Sequence, residues 1–371
     1  MNERRALLRG ARRLVVKVGS GVLSDSRGTL DFRQVHHISD QVCGLLAEGR
    51  EVIVVTSAAI SAGIGELGLE GRPTTMPELQ AAAAVGQSRL IRTYSEAFRQ
   101  RGVRVGQVLL SREDLEDRAR FLNTRNTLRA LVAMGCLPVI NENDSVCVEE
   151  IRYGDNDFLA AHIATAMMAD LLVLLTTVDG LLAEDGRTVL PVVNRVDERV
   201  LGLDDGRRSA LGSGGMTSKL QATRMMTHAG VPVVIANGRR RDVLLAIAEG
   251  QEVGTLFVPG PRRMASRKRW IGFTARPRGT IVVDDGAMRA LTERGKSLLA
   301  SGVKGIQGRF ERGDVVAVAS EDGREFARGL ANYSSSEVER IKGCHTSQIA
   351  TRLGYKDYDE VIHRDNLTLL H

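Results

Sequence analysis

Cysteine is scarce and scattered: four residues, Cys43, Cys136, Cys147 and Cys344, in a chain of 371. No CxxC pair and no neighbouring histidine pair occurs, which excludes a disulfide framework and a zinc site of the usual spacing; the thiols read as inert or buried. Long apolar runs are missing as well. The longest, such as Leu171 to Leu175, fall far short of the ~20 residues that span a bilayer. No apolar segment follows the charged stretch Met1 to Arg13 as a signal sequence would require, so no membrane association and a cytoplasmic location are expected. No internal repeat or low-complexity tract is visible. The seven histidines show no HExxH spacing, and the sequence offers no defined set of metal ligands. His363-Arg364-Asp365 copies the protein-kinase catalytic loop, but no glycine-rich or DFG context accompanies it, and coincidence is the reading.

Lysine is the most informative scarcity. Of 51 basic residues seven are lysine, and before residue 268 only Lys17 and Lys219 occur. Where arginine is written almost everywhere, a surviving lysine can mark a need for a compact, strongly hydrated point charge, or it can be chance.

What is present is ordinary for a compact protein: 43% hydrophobic and 26% charged residues, with a net charge of +6 that admits anionic partners. The length suggests two or three domains. Short β-branched runs alternate with helical stretches: Leu14 to Val18, Phe32 to Ala47, Val52 to Thr56, Glu78 to Arg99, then runs ending at Leu110, Ile140, Leu175 and Ala236. Helical segments at Phe121 to Met134, Asp157 to Met168 and Met216 to Ala229 separate the later runs. This is the rhythm of βαβ units, and it predicts an α/β fold: a three-layer αβα sandwich with a mostly parallel central sheet. The expected boundaries are residues 1–258 for this domain, 259–278 for a basic linker or exposed collar, and 279–371 for a small β-rich domain with a C-terminal extension.

Four clusters carry chemistry. Val16-Lys17-Val18-Gly19-Ser20-Gly21 is a strand entering a glycine-bracketed turn, where backbone N–H groups and the lysine could meet a phosphate, or where glycine merely turns the chain. It matches neither GxGxxG nor the P-loop. Thr56-Ser57-Ala58-Ala59-Ile60-Ser61-Ala62-Gly63 is a strand entering small residues, which suits either an anion at a helix start or tight helix packing. Asn141-Glu142-Asn143-Asp144-Ser145 and Gly154-Asp155-Asn156-Asp157 suit the ammonium and carboxylate of an amino acid, or the capping of turns and helices. Gly212-Ser213-Gly214-Gly215-Met216-Thr217-Ser218-Lys219 delivers a lysine onto the first turn of a helix and reads as a phosphate cradle.

In this order, VVKVGSGVLS, VVTSAAISAG, PVINENDSV, YGDNDFLAA, LLVLLTTVDGL and GSGGMTSKLQA resemble the glutamate 5-kinases of the amino-acid kinase family, and the segment from about Gly279 to Gly354 is similar to a PUA domain. The resemblance covers nearly the whole chain. It implies ATP-dependent phosphorylation of the γ-carboxylate of L-glutamate, the first step of proline synthesis, with Mg2+ accompanying ATP. It implies catalytic roles for Lys17, Lys219 and Asp157, and glutamate binding by Ser57, Asp144 and Asn156. ATP contacts would come from Lys17, Thr176, Thr177, Ser213, Gly214, Gly215, Met216, Thr217, Ser218 and Lys219. Proline as feedback inhibitor, a homodimer or homotetramer, and transient association with γ-glutamyl phosphate reductase also follow from the resemblance alone. Two positions depart from the family's habit: Thr177 stands where an aspartate is common, and Ala58 where a glycine is common. The competing readings are a sister kinase acting on another carboxylate, carbamate or UMP, and a PUA-type RNA-binding protein, for which the tail carries few stacking aromatics.

Overall fold

The computed structural model describes residues 2–146, 156–203, 215–260 and 264–370. Two compact units form, Met1–Leu115 with Ala119–Arg263, and Glu116–Arg118 with Met264–His371.

The first unit is built on an eight-stranded sheet in the order β3-β4-β2-β1-β5-β7-β8-β6. Its strands are β1 (Arg13–Val18), β2 (Glu51–Thr56), β3 (Arg104–Leu110), β4 (Cys136–Glu142), β5 (Leu171–Thr176), β6 (Val192–Val193), β7 (Val233–Asn237) and β8 (Thr255–Phe257). All pairs are parallel except β7 with β8. The apolar runs explain the order. In β1, β2 and β5 nearly every residue is buried, as a strand covered by helices on both faces requires. The edge strand β3 alternates between exposed and half-buried positions instead. Helix Phe32–Ala47 starts at Asp31, whose carboxylate accepts from the N–H groups of Arg33 and Gln34. Helix Met76–Arg99 begins with a capping box formed by Thr75 and Glu78, so it starts two residues earlier than its apolar pattern suggests.

The chain leaves β1 toward β2 on one side of the sheet and reaches β5 on the other, so the strand order reverses around β1. The crevice beyond the carboxyl ends of such strands is where open parallel sheets bind ligands.

The second unit has a separate five-stranded sheet, β10-β9-β11-β12-β13, made from β9 (Gly279–Val283), β10 (Val303–Gly308), β11 (Val315–Ala319), β12 (Glu325–Leu330) and β13 (Leu367–Leu369). Ile281, Val316, Val318, Ala327, Val338 and Ile362 form its core. Strands β10 and β12 were not expected from the sequence, because their glycines and charges break the apolar alternation. Arg269 and Trp270, in the stretch expected to be a linker or an exposed collar, are 0% and 3% exposed. No described helix is long and apolar enough to cross a membrane.

Candidate active site

Lys17 sits on β1 one residue before its carboxyl end, paired in register with Val55 of β2 and Leu174 of β5. On this central strand, with β2 on one side and β5 on the other, the lysine is nearly buried. Helix Asn156–Met167 brings Asp157 to the same place in its first turn, where the positive end of the helix dipole favours a carboxylate. Helix Met216–His228, entered from Gly215, brings Lys219.

The three charges converge. Nζ of Lys17 lies 2.8 Å from Oδ1 of Asp157, and Nζ of Lys219 lies 3.1 Å from Oδ2. Ser218 Oγ donates to the same Oδ2 at 2.8 Å, while Lys219 Nζ donates to the Gly215 carbonyl at 3.4 Å. Asp157 is 0% exposed and each lysine 4%. Burial alone would push the Asp157 carboxyl up, but the two ammonium groups and the hydrogen bonds from Lys17 and Ser218 outweigh it and hold the group well below the usual carboxylate range. Burial pulls the Lys17 ammonium down, with Asp157 opposing and Lys219 adding to the fall. Among the described residues of this cluster two ammonium groups face one carboxylate, an arrangement that favours an incoming polyanion.

The turn after β1 is held close to β5. The N–H of Gly19 donates to the carbonyl of Leu175 at 3.1 Å, and a Cβ on Gly19 would lie 3.1 Å from that oxygen. A Cβ on Gly21 would lie 3.0 Å from Cγ2 of Thr177. Thr177, just past the end of β5, therefore flanks the turn that follows Lys17 and Val18. Arg239, beyond β7, donates to the carbonyls of Gly21 and Ser24 and fixes the far side of the turn.

Beside this cluster lies a chain of amides. Asn156 Nδ2 donates to Ser57 Oγ at 3.0 Å and to Asn141 Oδ1 at 3.4 Å, and Asn141 Nδ2 donates to Gln87 Oε1 at 3.1 Å. The Asn156 Oδ1 atom is buried and has no hydrogen-bond partner among the described residues. Asp144 sits on the turn after β4, where its charge opposes the lowering of Arg72 by burial. Gln87, Asn141 and Arg72 were not singled out as site residues from sequence. Asn141 lay inside the quoted polar cluster, but nothing in the sequence tied Gln87 or Arg72 to it.

The tight-packing reading of the small-residue segment after β2 is what the structure displays. Ala58 stands at φ +78°, in the left-handed region that glycine adopts without strain. Helix Ala59–Leu67 packs so closely on helix Met76–Arg99 that a Cβ on Gly63 would lie 1.8 Å from the Ala82 carbonyl oxygen, and one on Gly86 1.9 Å from that of Ala59.

Of the expected site residues, Lys17, Asp157, Lys219 and Ser218 share one cluster, Ser57 and Asn156 a second, and Thr176, Thr177, Gly215, Met216 and Thr217 lie on the elements around the first. Ser213 and Gly214 lie outside the described residues. No group of three or more His, Cys, Asp or Glu side chains among the described residues could hold a metal ion.

The amino acid kinase family profile matches residues 12–237, and the PUA domain profile matches residues 279–353. A glutamate 5-kinase of Syntrophotalea carbinolica is 48% identical over 99% of this chain and 99% of its own length. That of Pelobacter propionicus is 46% identical over 99% and 100%, and that of Caldanaerobacter subterraneus subsp. tengcongensis 48% identical over 96% and 98%. The cluster of lysines at the switch point, the polar pocket beside it and these full-length matches agree: the chain belongs to the amino acid kinase family and, within it, to the glutamate 5-kinases.

Proposed function

We propose that the chain transfers the γ-phosphoryl group of ATP to the γ-carboxylate of L-glutamate, giving γ-glutamyl phosphate and ADP in the first step of proline synthesis. The observation that carries this reading is the Lys17–Asp157–Lys219 cluster, whose two ammonium groups share one buried carboxylate at 2.8 and 3.1 Å.

Phosphoryl transfer asks for positioning and for charge stabilisation on the equatorial oxygens and the leaving phosphate. One oxygen of the acceptor carboxylate bonds to the γ-phosphorus as the bond to the β,γ-bridging oxygen breaks, and that oxygen leaves with ADP. The acceptor is already ionised at neutral pH, so no general base is required. Lys17 and Lys219 balance the phosphate charge, and Asp157 fixes their direction. Ser57, Asp144 and Asn156 hold glutamate, with the vacant acceptor on Asn156 suited to its ammonium. Thr176, Thr177 and residues 213–219 hold the nucleotide. Asp157, the carboxylate at the centre, is already engaged by two lysines, so its donor set does not fit a resident cation; Mg2+ belongs to the ATP complex that enters as substrate.

Proline acts as feedback inhibitor at the glutamate pocket, the chain assembles as a homo-oligomer, and it works in the cytoplasm, with transient transfer of its labile product to a reductase. The test is ADP release by the purified protein with ATP and Mg2+, compared across L-glutamate, L-aspartate, N-acetyl-L-glutamate, carbamate and UMP, with hydroxylamine trapping acyl phosphate. Release with glutamate together with γ-glutamyl hydroxamate supports the reading; turnover only with another acceptor overturns it.

A further inference from the structure

The second unit contains a cavity of about 690 Å³ that no step of phosphoryl transfer uses. One wall is helix Asp285–Thr292 and the other is the segment around Leu298. The helix lies directly on Gly302, where a Cβ would come within 2.5 Å of the Ala287 side chain.

Backbone register sorts the charged lining residues into two ends. The N–H of Asp284 donates to the Gly302 carbonyl at 3.1 Å, which places Asp284 at the amino end of the helix beside Gly302. The N–H of Lys296 donates to the Ala290 carbonyl at 3.1 Å, which places Lys296 near the carboxyl end. An antiparallel bridge joins Leu298 to Ile362, so residues before 298 lie opposite residues after 362. Lys296 thereby falls on the same side of the bridge as Arg364, whose N–H donates to Ser297 Oγ at 3.0 Å, and Glu360 falls on the other side. One end is cationic, Lys296 with Arg364, and neither side chain makes an ion pair among the described residues. The other end is acidic, Asp284 with Glu360; neighbouring Asp359 is already paired with Lys356 at 2.8 Å, and His363 lies 3.7 Å from Glu360. One Asp284 oxygen caps the helix by accepting from the Ala287 N–H at 2.8 Å. Between the ends the lining is apolar, from Ala287, Leu291 and Leu298.

The six residue steps from the helix cap Asp284 to Ala290 span about 9 Å at 1.5 Å per step. We infer that this cavity binds linear zwitterions with an apolar middle and charges about 10 Å apart, the dimensions of an extended tripeptide at roughly 3.3 Å per residue. The ammonium end lies at Asp284 and Glu360, and the carboxylate end at Lys296 and Arg364. A cavity of this size is in the range of small-molecule sites, roughly 300–1,000 Å³. The inference is independent of the kinase reading.

The probe is the tripeptide Ala-Leu-Ala, titrated calorimetrically into the full chain in four forms: free, N-acetylated, C-amidated and doubly blocked. Free peptide is expected to bind, with each block weakening it at least about tenfold, the loss of one charge-assisted hydrogen bond. In the Lys296→Ala, Arg364→Ala double variant, amidation should no longer matter while acetylation still does. In Asp284→Asn, Glu360→Gln the reverse should hold; asparagine retains the helix cap, and melting curves verify both folds. Equal affinity for free and doubly blocked peptide, no binding of free peptide up to about 10 mM by folded protein, or loss of both discriminations in either variant overturns the inference.

Discussion

Lys17 and Lys219 share one counter-ion, each taking a separate oxygen of Asp157 at 2.8 and 3.1 Å. They arrive from a central strand and from the first turn of a helix far along the chain, so the pair exists only in the folded state. The arrangement fixes the direction of two long, flexible side chains before any phosphate enters.

Lys219→Ala should lower turnover by about 100- to 1,000-fold, the magnitude seen when one charge-stabilising donor is removed, with little change in the far-ultraviolet spectrum. Near-normal turnover would remove Lys219 from the reaction. Asp157→Asn should in addition cost stability, on the order of 3 kcal/mol, because two buried ammonium groups lose their shared carboxylate. Urea denaturation measures that loss. Since the native Asp157 carboxyl is held below its ordinary value of 3.8, its contribution is complete above that pH and fades as the pH falls further. The stability gap between wild type and variant should therefore be flat above about pH 4 and narrow below it.

His162 supplies a second pH signature. Burial, reinforced by Arg112, pulls its imidazole down from 6.5 to about 4. Between those values the unfolded chain binds a proton that the native chain does not, so stability is complete above 6.5 and is lost as the pH falls through about 4. His162→Gln should flatten the stability profile across that window by on the order of 2 kcal/mol. An unchanged slope in equilibrium unfolding at pH 7 and pH 5 would disprove the assignment.

Ala58→Gly should stabilise the protein by about 0.5 to 1 kcal/mol. A left-handed alanine costs about 1 to 2 kcal/mol, and glycine removes that strain while giving back part of it as chain entropy in the unfolded state. Valine at the same position should destabilise it, and the pair of melting temperatures checks the sign.

Gly63→Ala and Gly86→Ala should each destabilise by more than about 3 kcal/mol, since the new methyl meets backbone rather than a side chain that can move. Because only Ala58 separates helix Ala59–Leu67 from Ser57, which the proposed function places at glutamate, any folded variant should show a raised KM for glutamate with a smaller effect on ATP. Equal effects on both substrates would separate the helix contact from the glutamate pocket.

Helix Phe32–Ala47 was readable to the residue, because apolar period and burial coincide there. Strand β8 was not: it has three residues and runs antiparallel to β7, and its pairing rests on a partner rather than on its own pattern. The site divides in the same way. The sequence by itself determined the residue types, the strand-to-turn position of Lys17 and the helix-start position of Lys219, because glycine placement and hydrophobic period are local properties. Only the tertiary structure decided that both lysines meet on Asp157, that Gln87 and Asn141 stand behind Asn156, and that Gly63 and Gly86 are required by backbone contact. Those relationships join elements far apart in the chain, and they are set by strand order and helix packing, which no local pattern encodes.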